Sequence, residues 1–227
     1  MRRSLSVAPQ RAAAVFVDLQ EEHRRDERYL VAGFDALLLN VQDLQAGARK
    51  RGIPVFHAAY VVDPTQGKPR PFHPVMADGR SAFSNKGDPL STICPEVGPI
   101  GDETAIIKTH ASAFDGGDLA RYLGALGVEW VFVAGVWTEA CIAATVNDAV
   151  DLGFRVLLIK DGCASGSVAM HQTAILNLAN RLYGGAVVTS KDACRLMAGE
   201  TVEAWMVEGS VPFRFTYEIA ADLYDDL

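Results

Sequence analysis

Short apolar runs alternate along this chain with longer segments in which apolar residues recur every three or four positions. An apolar run is typical of a buried strand, and the three- and four-residue spacing is typical of an amphipathic helix. The runs predict six strands, at residues 12–19, 53–60, 104–109, 131–134, 154–159 and 186–188. Helical spacing is found at residues 30–51, 119–126, 139–152 and 168–183, and a last core helix begins with Ser190 as its N-cap. Because strand and helix alternate, the pattern predicts an α/β fold, a three-layer α/β/α sandwich with a six-stranded, mostly parallel, Rossmann-like sheet.

The segments outside this alternation predict one decorated domain. Residues 1–199 contain all the predicted strands, after a short N-terminal arm. Residues 21–28 are densely charged and are expected to form an exposed loop. Seven of the ten prolines fall within residues 61–103, so regular elements there must be short. A connection of this length is expected to serve as a lid over a site or as a subunit contact.

Residues 200–227 are a C-terminal extension of the domain. The extension is too apolar for a free tail, so it is expected to pack on the domain or on a neighbouring subunit, and we favour the neighbour. This predicts a homo-oligomer, either a dimer or a tetramer. The apolar residues concerned are Trp205, Val211, Pro212, Phe213, Phe215 and Tyr217.

Composition and charge narrow the classes of function. The 227 residues are 49% hydrophobic and can bury a large core. The net charge is −7 and the basic residues are scattered, which argues against a nucleic-acid partner. No apolar run approaches the roughly 20 residues of a membrane span, so no membrane partner is expected. The four cysteines form no C-x-x-C pair, which is typical of a reducing cytosol, so we expect a cytoplasmic protein that acts on a small molecule.

Three chemically active side chains lie at the carboxyl ends of predicted strands. Asp18 closes the first strand, Lys108 closes the third, and Cys141 lies in the first turn of the helix after the fourth. Each has an ordinary structural interpretation, as a turn cap, a lysine that reaches solvent, and a small buried hydrophobe. However, open α/β sheets place their sites at this end of the strands, and the start of a helix stabilises a thiolate. The pattern therefore predicts one site with Cys141 as its nucleophile.

The segments around these residues resemble the three motifs of the isochorismatase-like cysteine hydrolases. The motifs are a D-x-Q strand end at Asp18, K-x-x-x-S-A-F at Lys108 and G-x-x-T-E-x-C-x-x-x-T around Cys141, and the resemblance covers residues 12–198. That family includes nicotinamidase, N-carbamoylsarcosine amidohydrolase, ureidoacrylate amidohydrolase and biuret hydrolase. The resemblance implies a cysteine amidohydrolase that cleaves a small amide or ureide through a thioester and releases ammonia or an amine.

The chemistry of such a hydrolase gives each residue a role. Cys141 attacks the carbonyl carbon, Asp18 transfers protons, and Lys108 is a fixed cation that favours both the thiolate and the carboxylate. The resemblance also implies an oxyanion hole made by the backbone amides of Trp137 and Cys141, and a cis peptide bond from Val136 to Trp137. It implies no cofactor.

The substrate is less well determined by the sequence. Related nicotinamidases bind a metal with an Asp-x-His pair that is absent here, so no metal site is predicted, and His57 and His73 are interpreted as structural or substrate-lining residues. The thiol argues against isochorismatase itself, which breaks a vinyl ether without one. The run around His171 and the C-terminal extension resemble the ureide-cleaving members of the family, which implies a ureide, whereas His23 stands where the family often has an aromatic residue. Candidate substrate-binding residues are Gln20, Trp137, Glu139 and Gln172.

Several alternatives stay open. Within the family, the chain could be a nicotinamidase-like amidase or an isochorismatase-type hydrolase. A binding subunit without activity would be expected to lack one of the three motif residues, and all three are present. A redox protein would oxidise Cys141 and resolve it with Cys163, at the end of the next predicted strand, whereas in a hydrolase Cys163 would be a packing residue.

Overall fold

A computed structural model describes residues 1–209 and 214–227 of the chain. The strands are β1 (Arg2–Leu5), β2 (Ala12–Val17), β3 (Val55–Tyr60), β4 (Thr104–Lys108), β5 (Trp130–Val136), β6 (Arg155–Ala164), β7 (Ala186–Val188) and β8 (Val202–Trp205). The helices are α1 (Glu22–Arg25), α2 (Phe34–Lys50), α3 (Asp118–Ala125), α4 (Ala143–Asp151), α5 (Val168–Ala179), α6 (Ser190–Met197) and α7 (Ala220–Asp226). A short π-helix, Thr138–Ile142, precedes α4.

The sheet has a central block of six parallel strands. The strand order is β1-β8-β7-β6-β5-β2-β3-β4, and all neighbours from β7 to β4 pair in parallel. These are the six strands that the apolar runs predict. β2, β3 and β5 are buried along their whole length, as expected for strands covered on both faces. The carboxyl ends of the six strands therefore meet along one edge, which is where the motif residues lie.

Helices cover both faces of the sheet, which confirms the predicted three-layer α/β/α sandwich. The first layer is α2 with α6, and the second is α3, α4, α5 and α7. Successive residues of β5 point to opposite layers, with Phe132 in the first core and Val131 and Val133 in the second. No helix within the described ranges is both long enough and apolar enough to cross a membrane.

The sheet has eight strands rather than the predicted six. β1 and β8 add an antiparallel pair at one edge, in a register that joins Arg2 to Trp205 and Leu5 to Val202. The N-terminal segment predicted to be a free arm is therefore part of the sheet. Both strands have only four residues, and their partners lie about 200 positions apart in the chain, so local periodicity carries little signal for them.

The Pro-rich segment 61–103 contains only short regular elements within the described structure, as predicted. Three 3₁₀ turns, Pro64–Gln66, Pro89–Ser91 and Pro95–Val97, each begin at a proline. The segment is attached to the sheet near the end of β2, where the Cys94 amide donates to the Leu19 carbonyl at 2.8 Å. It therefore returns to the edge that carries the motif residues.

Two local predictions are corrected by the structure. The charged segment 21–28 is not an exposed loop throughout, because α1 lies within it and Glu21, Glu22 and His23 are buried. Helix α6 is capped by Thr189 rather than Ser190, since the Thr189 side chain accepts from the Asp192 amide.

The C-terminal extension contributes β8 to the sheet and α7 to the second helical layer. Lys160, in the middle of β6, donates to the backbone carbonyls of Tyr224 (2.8 Å) and Asp225 (3.2 Å). Trp205 and Phe215 pack on the second core, whereas Tyr217 is 91% exposed. The other apolar residues of the predicted contact, Val211, Pro212 and Phe213, lie outside the described residues.

Candidate active site

The three motif residues converge at the carboxyl edge of the sheet. Asp18 follows β2, Lys108 ends β4, and Cys141 lies in the π-helix that follows β5. The Lys108 ammonium donates to Asp18 Oδ2 at 2.8 Å, and both side chains are almost completely buried. Asp18 and Cys141 line the same cavity. Side chains separated by more than 120 positions are thus brought together, as the strand-end pattern predicts.

Asp18 is held firmly by its surroundings. Its backbone φ is +53°, a conformation that few non-glycine residues adopt. The second carboxylate oxygen, Oδ1, accepts from the backbone amide of Tyr60 at 2.8 Å, so both oxygens have a donor. The Lys108 ammonium also donates to the His110 carbonyl at 3.2 Å and lies 5.1 Å from the centre of the Tyr60 ring. The carboxylate therefore has one orientation relative to the cavity.

A glycine in β5 lets the strands approach each other beside Asp18. Gly135 has a φ of +133°, and a Cβ atom at this position would lie 2.0 Å from the carbonyl oxygen of Val17. Since that atom is backbone, it cannot move aside as a flexible side chain could. Glycine is thus required where β5 passes the end of β2.

The charges around Cys141 affect its proton affinity in opposite directions. Burial is the largest influence and Asp18 adds to it, so that together they raise the pKa of the thiol to about 12, while Lys108 opposes them. Burial also opposes the charge on Lys108, yet Asp18 and Cys141 outweigh it and raise the pKa of the ammonium. The folded site therefore favours the neutral thiol. The sequence predicts a thiolate at this helix start, and that prediction does not hold for the resting site, because burial dominates.

The turn that carries Cys141 is attached to β6 and to the second helical layer. The Val136–Trp137 peptide bond is cis, as the resemblance implies. The Thr138 hydroxyl is buried and lies 2.9 Å from the Ala164 carbonyl and 2.8 Å from His171 Nδ1. His171 Nε2 in turn lies 3.0 Å from the Tyr224 hydroxyl of the C-terminal extension. The position of the turn that carries Cys141 thus depends on β6, α5 and α7.

The cavity beside Cys141 has a volume of about 470 Å³. Its walls come from Asp18 and Cys141, from segment 20–29 and from segment 61–103, which supplies Arg70, Phe83 and Ser84. The pattern of residues 61–103 predicts a lid or a subunit contact but does not indicate these three residues individually. Glu22 and His23 also line the cavity. Their position directly after the D-x-Q strand end is the sequence signal that could have placed them in its wall.

Two buried polar residues of α1 form part of this wall. The Glu22 carboxylate accepts from the Ser84 hydroxyl (2.5 Å) and the Ser84 amide (3.1 Å), and burial raises its pKa. The indole N–H of Trp137 donates to His23 Nδ1 at 3.2 Å, which requires a lone pair on that nitrogen. Burial lowers the pKa of His23, so the imidazole is neutral near pH 7.

The four predicted substrate-binding residues divide into two groups. Trp137 and Gln20 line the cavity, but the Gln20 amide is occupied by the backbone: it donates to the carbonyls of Tyr60 (3.0 Å) and Ser91 (2.7 Å) and accepts from the Tyr60 amide (3.1 Å). Gln20 therefore shapes the wall and has no free group for a substrate.

Glu139 and Gln172 lie outside this cavity, contrary to the prediction. Glu139 is exposed and accepts from the Ser165 hydroxyl, because it stands two positions before Cys141 and so faces another side of the turn. Gln172 follows His171, which points inward to Thr138, and consecutive helical residues face different directions.

The remaining histidines and cysteines have other surroundings. His57 Nε2 lies 2.9 Å from Glu103, and His73 Nε2 lies 2.8 Å from the Ser81 hydroxyl. Across residues 1–209 and 214–227, no three His, Cys, Asp or Glu side chains cluster as metal ligands would. Cys163 lines a different cavity from Cys141, and its sulfur lies 3.9 Å from the Val133 carbonyl.

Comparison with known proteins relates this site to one family. The family described as "Isochorismatase domain" matches residues 12–192. The chain is 34% identical over 120 residues to a maleamate amidohydrolase of Pseudomonas putida, and the match covers 53% of each protein. It is 26% identical over 196 residues to a ureidoacrylate amidohydrolase of Acinetobacter baylyi, covering 77% of this chain and 80% of that protein. The chain thus matches about half the length of the first of these relatives.

Solved structures show the same fold. A cysteine hydrolase from Pseudomonas syringae pv. phaseolicola superposes with a TM-score of 0.77 at 20% sequence identity. The superposition covers 86% of this chain and 95% of that structure. At this level of identity the similarity concerns the fold alone.

Proposed function

Because this chain belongs to the isochorismatase family, we propose that it is a cysteine amidohydrolase that cleaves the C–N bond of a small amide or ureide. The observation that carries the proposal is that Asp18 and Cys141 line one cavity, while the buried Lys108 ammonium contacts Asp18 at 2.8 Å. A nucleophile, a proton-transfer group and a fixed cation are the groups that thiol-mediated amide hydrolysis requires.

The first half of the reaction forms a thioester. The Cys141 thiol transfers its proton to Asp18 as its sulfur attacks the carbonyl carbon, and the carbonyl oxygen becomes an oxyanion. Burial and the Asp18 charge raise the pKa of the thiol, so proton transfer to Asp18 accompanies the attack. The backbone amides of Trp137 and Cys141 are the proposed oxyanion donors, at the start of the nucleophile turn. Asp18 then gives the proton to the leaving nitrogen, and ammonia or an amine departs.

The second half of the reaction returns the free enzyme. Asp18 removes a proton from a water molecule, whose oxygen attacks the thioester carbon, and the carbon–sulfur bond breaks to release the acid and the thiol. Lys108 keeps a positive charge beside Asp18 throughout both halves. Its role is to stabilise the ionised carboxylate and the transient charge on sulfur.

The names of the relatives support a carbon–nitrogen bond as the target. A maleamate amidohydrolase and a ureidoacrylate amidohydrolase are both named for amide or ureide substrates. A nicotinamidase-like or isochorismatase-type reaction remains an alternative within the family. The predicted homo-oligomer stays a prediction.

The decisive experiment measures ammonia release from a panel of primary amides and ureides. Cys141→Ala and Asp18→Asn should each abolish release, while Cys194→Ala, which removes another partly exposed cysteine, should leave it unchanged. Mass spectrometry of the rapidly quenched reaction should detect an acyl group on Cys141. Persistent hydrolysis by Cys141→Ala would exclude thiol catalysis.

The redox alternative has its own test. Mild peroxide treatment should not join Cys141 to Cys163, because the two residues line different cavities. A reversible Cys141–Cys163 disulfide in peptide mass spectra would favour a redox protein instead.

A further inference from the structure

The charged residues around the cavity indicate which chemical group the substrate carries away from the scissile bond. This inference rests on the proposed amide hydrolysis and concerns the rest of the molecule that is cleaved. Two charged groups of the cavity wall are already paired. Asp18 contacts Lys108, and Arg28 contacts Asp26 through two hydrogen bonds of 2.7 and 3.0 Å.

Arg70 has no such partner. It lines the cavity from the Pro-rich segment 61–103 and is exposed. Among residues 1–209 and 214–227, its guanidinium makes no ion pair or hydrogen bond with another side chain. Its charge acts on Tyr60, where it opposes the effect of burial, which raises the pKa of the phenol. Arg70, Tyr60 and Asp18 thus line the same cavity, and the Arg70 charge is near enough to the Tyr60 hydroxyl to act on it.

The buried carboxyl of Glu22 does not neutralise this cation. Glu22 lines the same cavity, but its two oxygens accept from the amide and hydroxyl of Ser84, and it forms no ion pair with Arg70. Glu22 Oε1 also lies 4.0 Å from His23 Nε2, and burial lowers the pKa of that imidazole. Burial raises the pKa of Glu22, which further reduces the negative charge it offers.

The size and character of the cavity leave room for a second functional group. About 470 Å³ lies within the range of pockets that hold whole metabolites, and a primary amide alone fills only part of it. Tyr29, Phe83 and Trp137 provide an apolar stretch of wall around the polar ends. A guanidinium is suited to a carboxylate, because its planar pair of N–H groups matches the two oxygens.

We infer that the substrate is a small amide or ureide that carries a carboxylate, and that Arg70 binds this carboxylate while Cys141 attacks the amide carbon. Half-amides of short dicarboxylic acids and N-carbamoyl amino acids have this chemistry. Arg70 is thus a specificity-determining residue, and its cation steers the anionic end of the substrate to the wall formed by segment 61–103.

The experiment compares an anionic substrate with a neutral one. The half-amide of a four-carbon dicarboxylic acid and an N-carbamoyl amino acid are each paired with an analogue whose carboxylate is replaced by a hydroxymethyl group. The wild-type protein should prefer each acid by about 10- to 100-fold in kcat/KM, the range for one charge-assisted contact. Arg70→Gln should remove this preference, chiefly by raising KM for the acids, and should change kcat/KM for the neutral analogues by less than about threefold. Arg70→Lys should keep part of the preference, because it retains the charge and loses the planar fork.

A matched control lies two positions away. Lys68→Gln removes the same charge from the same segment, but Lys68 does not line this cavity. This variant should therefore leave kcat/KM unchanged for both the acids and the neutral analogues. Equal kcat/KM for acid and neutral analogue in the wild-type protein, or equal losses for both in Arg70→Gln, would overturn the inference.

The outcomes also separate this inference from the proposed function. If Cys141→Ala abolishes hydrolysis of the neutral analogue but no acid preference exists, the amidohydrolase stands and the Arg70 assignment fails. If no analogue is hydrolysed, the proposed function fails. Calorimetry then measures binding of the acids to Cys141→Ala and to Cys141→Ala/Arg70→Gln. Binding that is present in the first protein and lost in the second supports the carboxylate site. Equal binding to both, or no binding to either, overturns it.

Discussion

Replacing Lys108 with methionine removes the cation that pairs with Asp18 while keeping a side chain of similar length. Lys108 is 2% exposed, and its ammonium lies 2.8 Å from Asp18 Oδ2. Without it, the carboxylate retains the Tyr60 amide as a donor, and a buried charge loses its countercharge. Breaking a buried ion pair by removing one partner costs about 3–5 kcal/mol. For a domain of this size we expect the melting temperature to fall by roughly 6–20 °C.

A double-mutant cycle separates the stability of the pair from its chemistry. In Asp18→Asn/Lys108→Met no charge remains, so the double variant should be more stable than Lys108→Met alone. Both variants should be inactive in amide hydrolysis, because each lacks a proposed catalytic group. Lys86→Met is the matched control: its ion pair with Asp63 is as short, at 2.9 Å, but Lys86 is 67% exposed, so the expected cost is about 0–1 kcal/mol.

Urea denaturation followed by circular dichroism measures these free energies of unfolding. The role of Lys108 as the countercharge of Asp18 is refuted if Lys108→Met lowers the free energy of unfolding no more than Lys86→Met does. It is also refuted if the double variant is no more stable than Lys108→Met. Full amide hydrolysis by Lys108→Met would separately remove Lys108 from the proposed mechanism.

Three further predictions follow from individual sites. Peptide-resolved alkylation of Cys141 by iodoacetamide should accelerate about tenfold per pH unit from pH 7 to 10, because its pKa is raised to about 12, and a plateau below pH 9 would contradict this. Burial lowers the pKa of His171 to about 4, so between pH 6.5 and 4 this side chain binds a proton in the unfolded chain but not in the folded one. The free energy of unfolding should therefore fall by up to about 3 kcal/mol over this pH range because of His171. Urea denaturation at several pH values should show a smaller fall for His171→Gln and an unchanged fall for the exposed His110→Gln. Gly135→Ala should lower the free energy of unfolding by at least about 2 kcal/mol and remove most of the activity, because the new Cβ would lie 2.0 Å from a backbone atom of β2. Gly124→Ala in α3, where the Cβ would meet open space, should leave stability unchanged or raise it. Equal stability of the two variants would refute the requirement for glycine at position 135.

The motif residues could be located from sequence because their placement follows from a simple property of parallel sheets. Asp18 and Lys108 end apolar runs and Cys141 lies in the helical turn that follows one, and the carboxyl ends of parallel strands share one edge. The apolar runs identify the six central strands, and the three- and four-residue spacing identifies most of the helices. These are local patterns, so they remain readable without knowledge of distant contacts.

The walls of the cavity could not be predicted in this way. Arg70, Phe83 and Ser84 come from a segment with little regular structure, and Glu22 and His23 come from a charged run that looks solvent-exposed. Their burial results from contact between the two segments, such as the hydrogen bonds from Ser84 to Glu22. The same is true of β1 and β8, whose pairing joins the two ends of the chain.

The sequence by itself determined the layered α/β architecture and the location of the three motif side chains, since both depend on hydrophobic periodicity and on residue types at strand ends. Tertiary structure alone decided the surroundings of the Cys141 thiol and the shape of the cavity. Burial outweighs Lys108 and holds Cys141 as a thiol, and the folded chain turns Glu139 and Gln172 away while it brings Arg70 to the cavity. Desolvation and side-chain direction are properties of the packed chain, because both depend on neighbours that are distant in sequence.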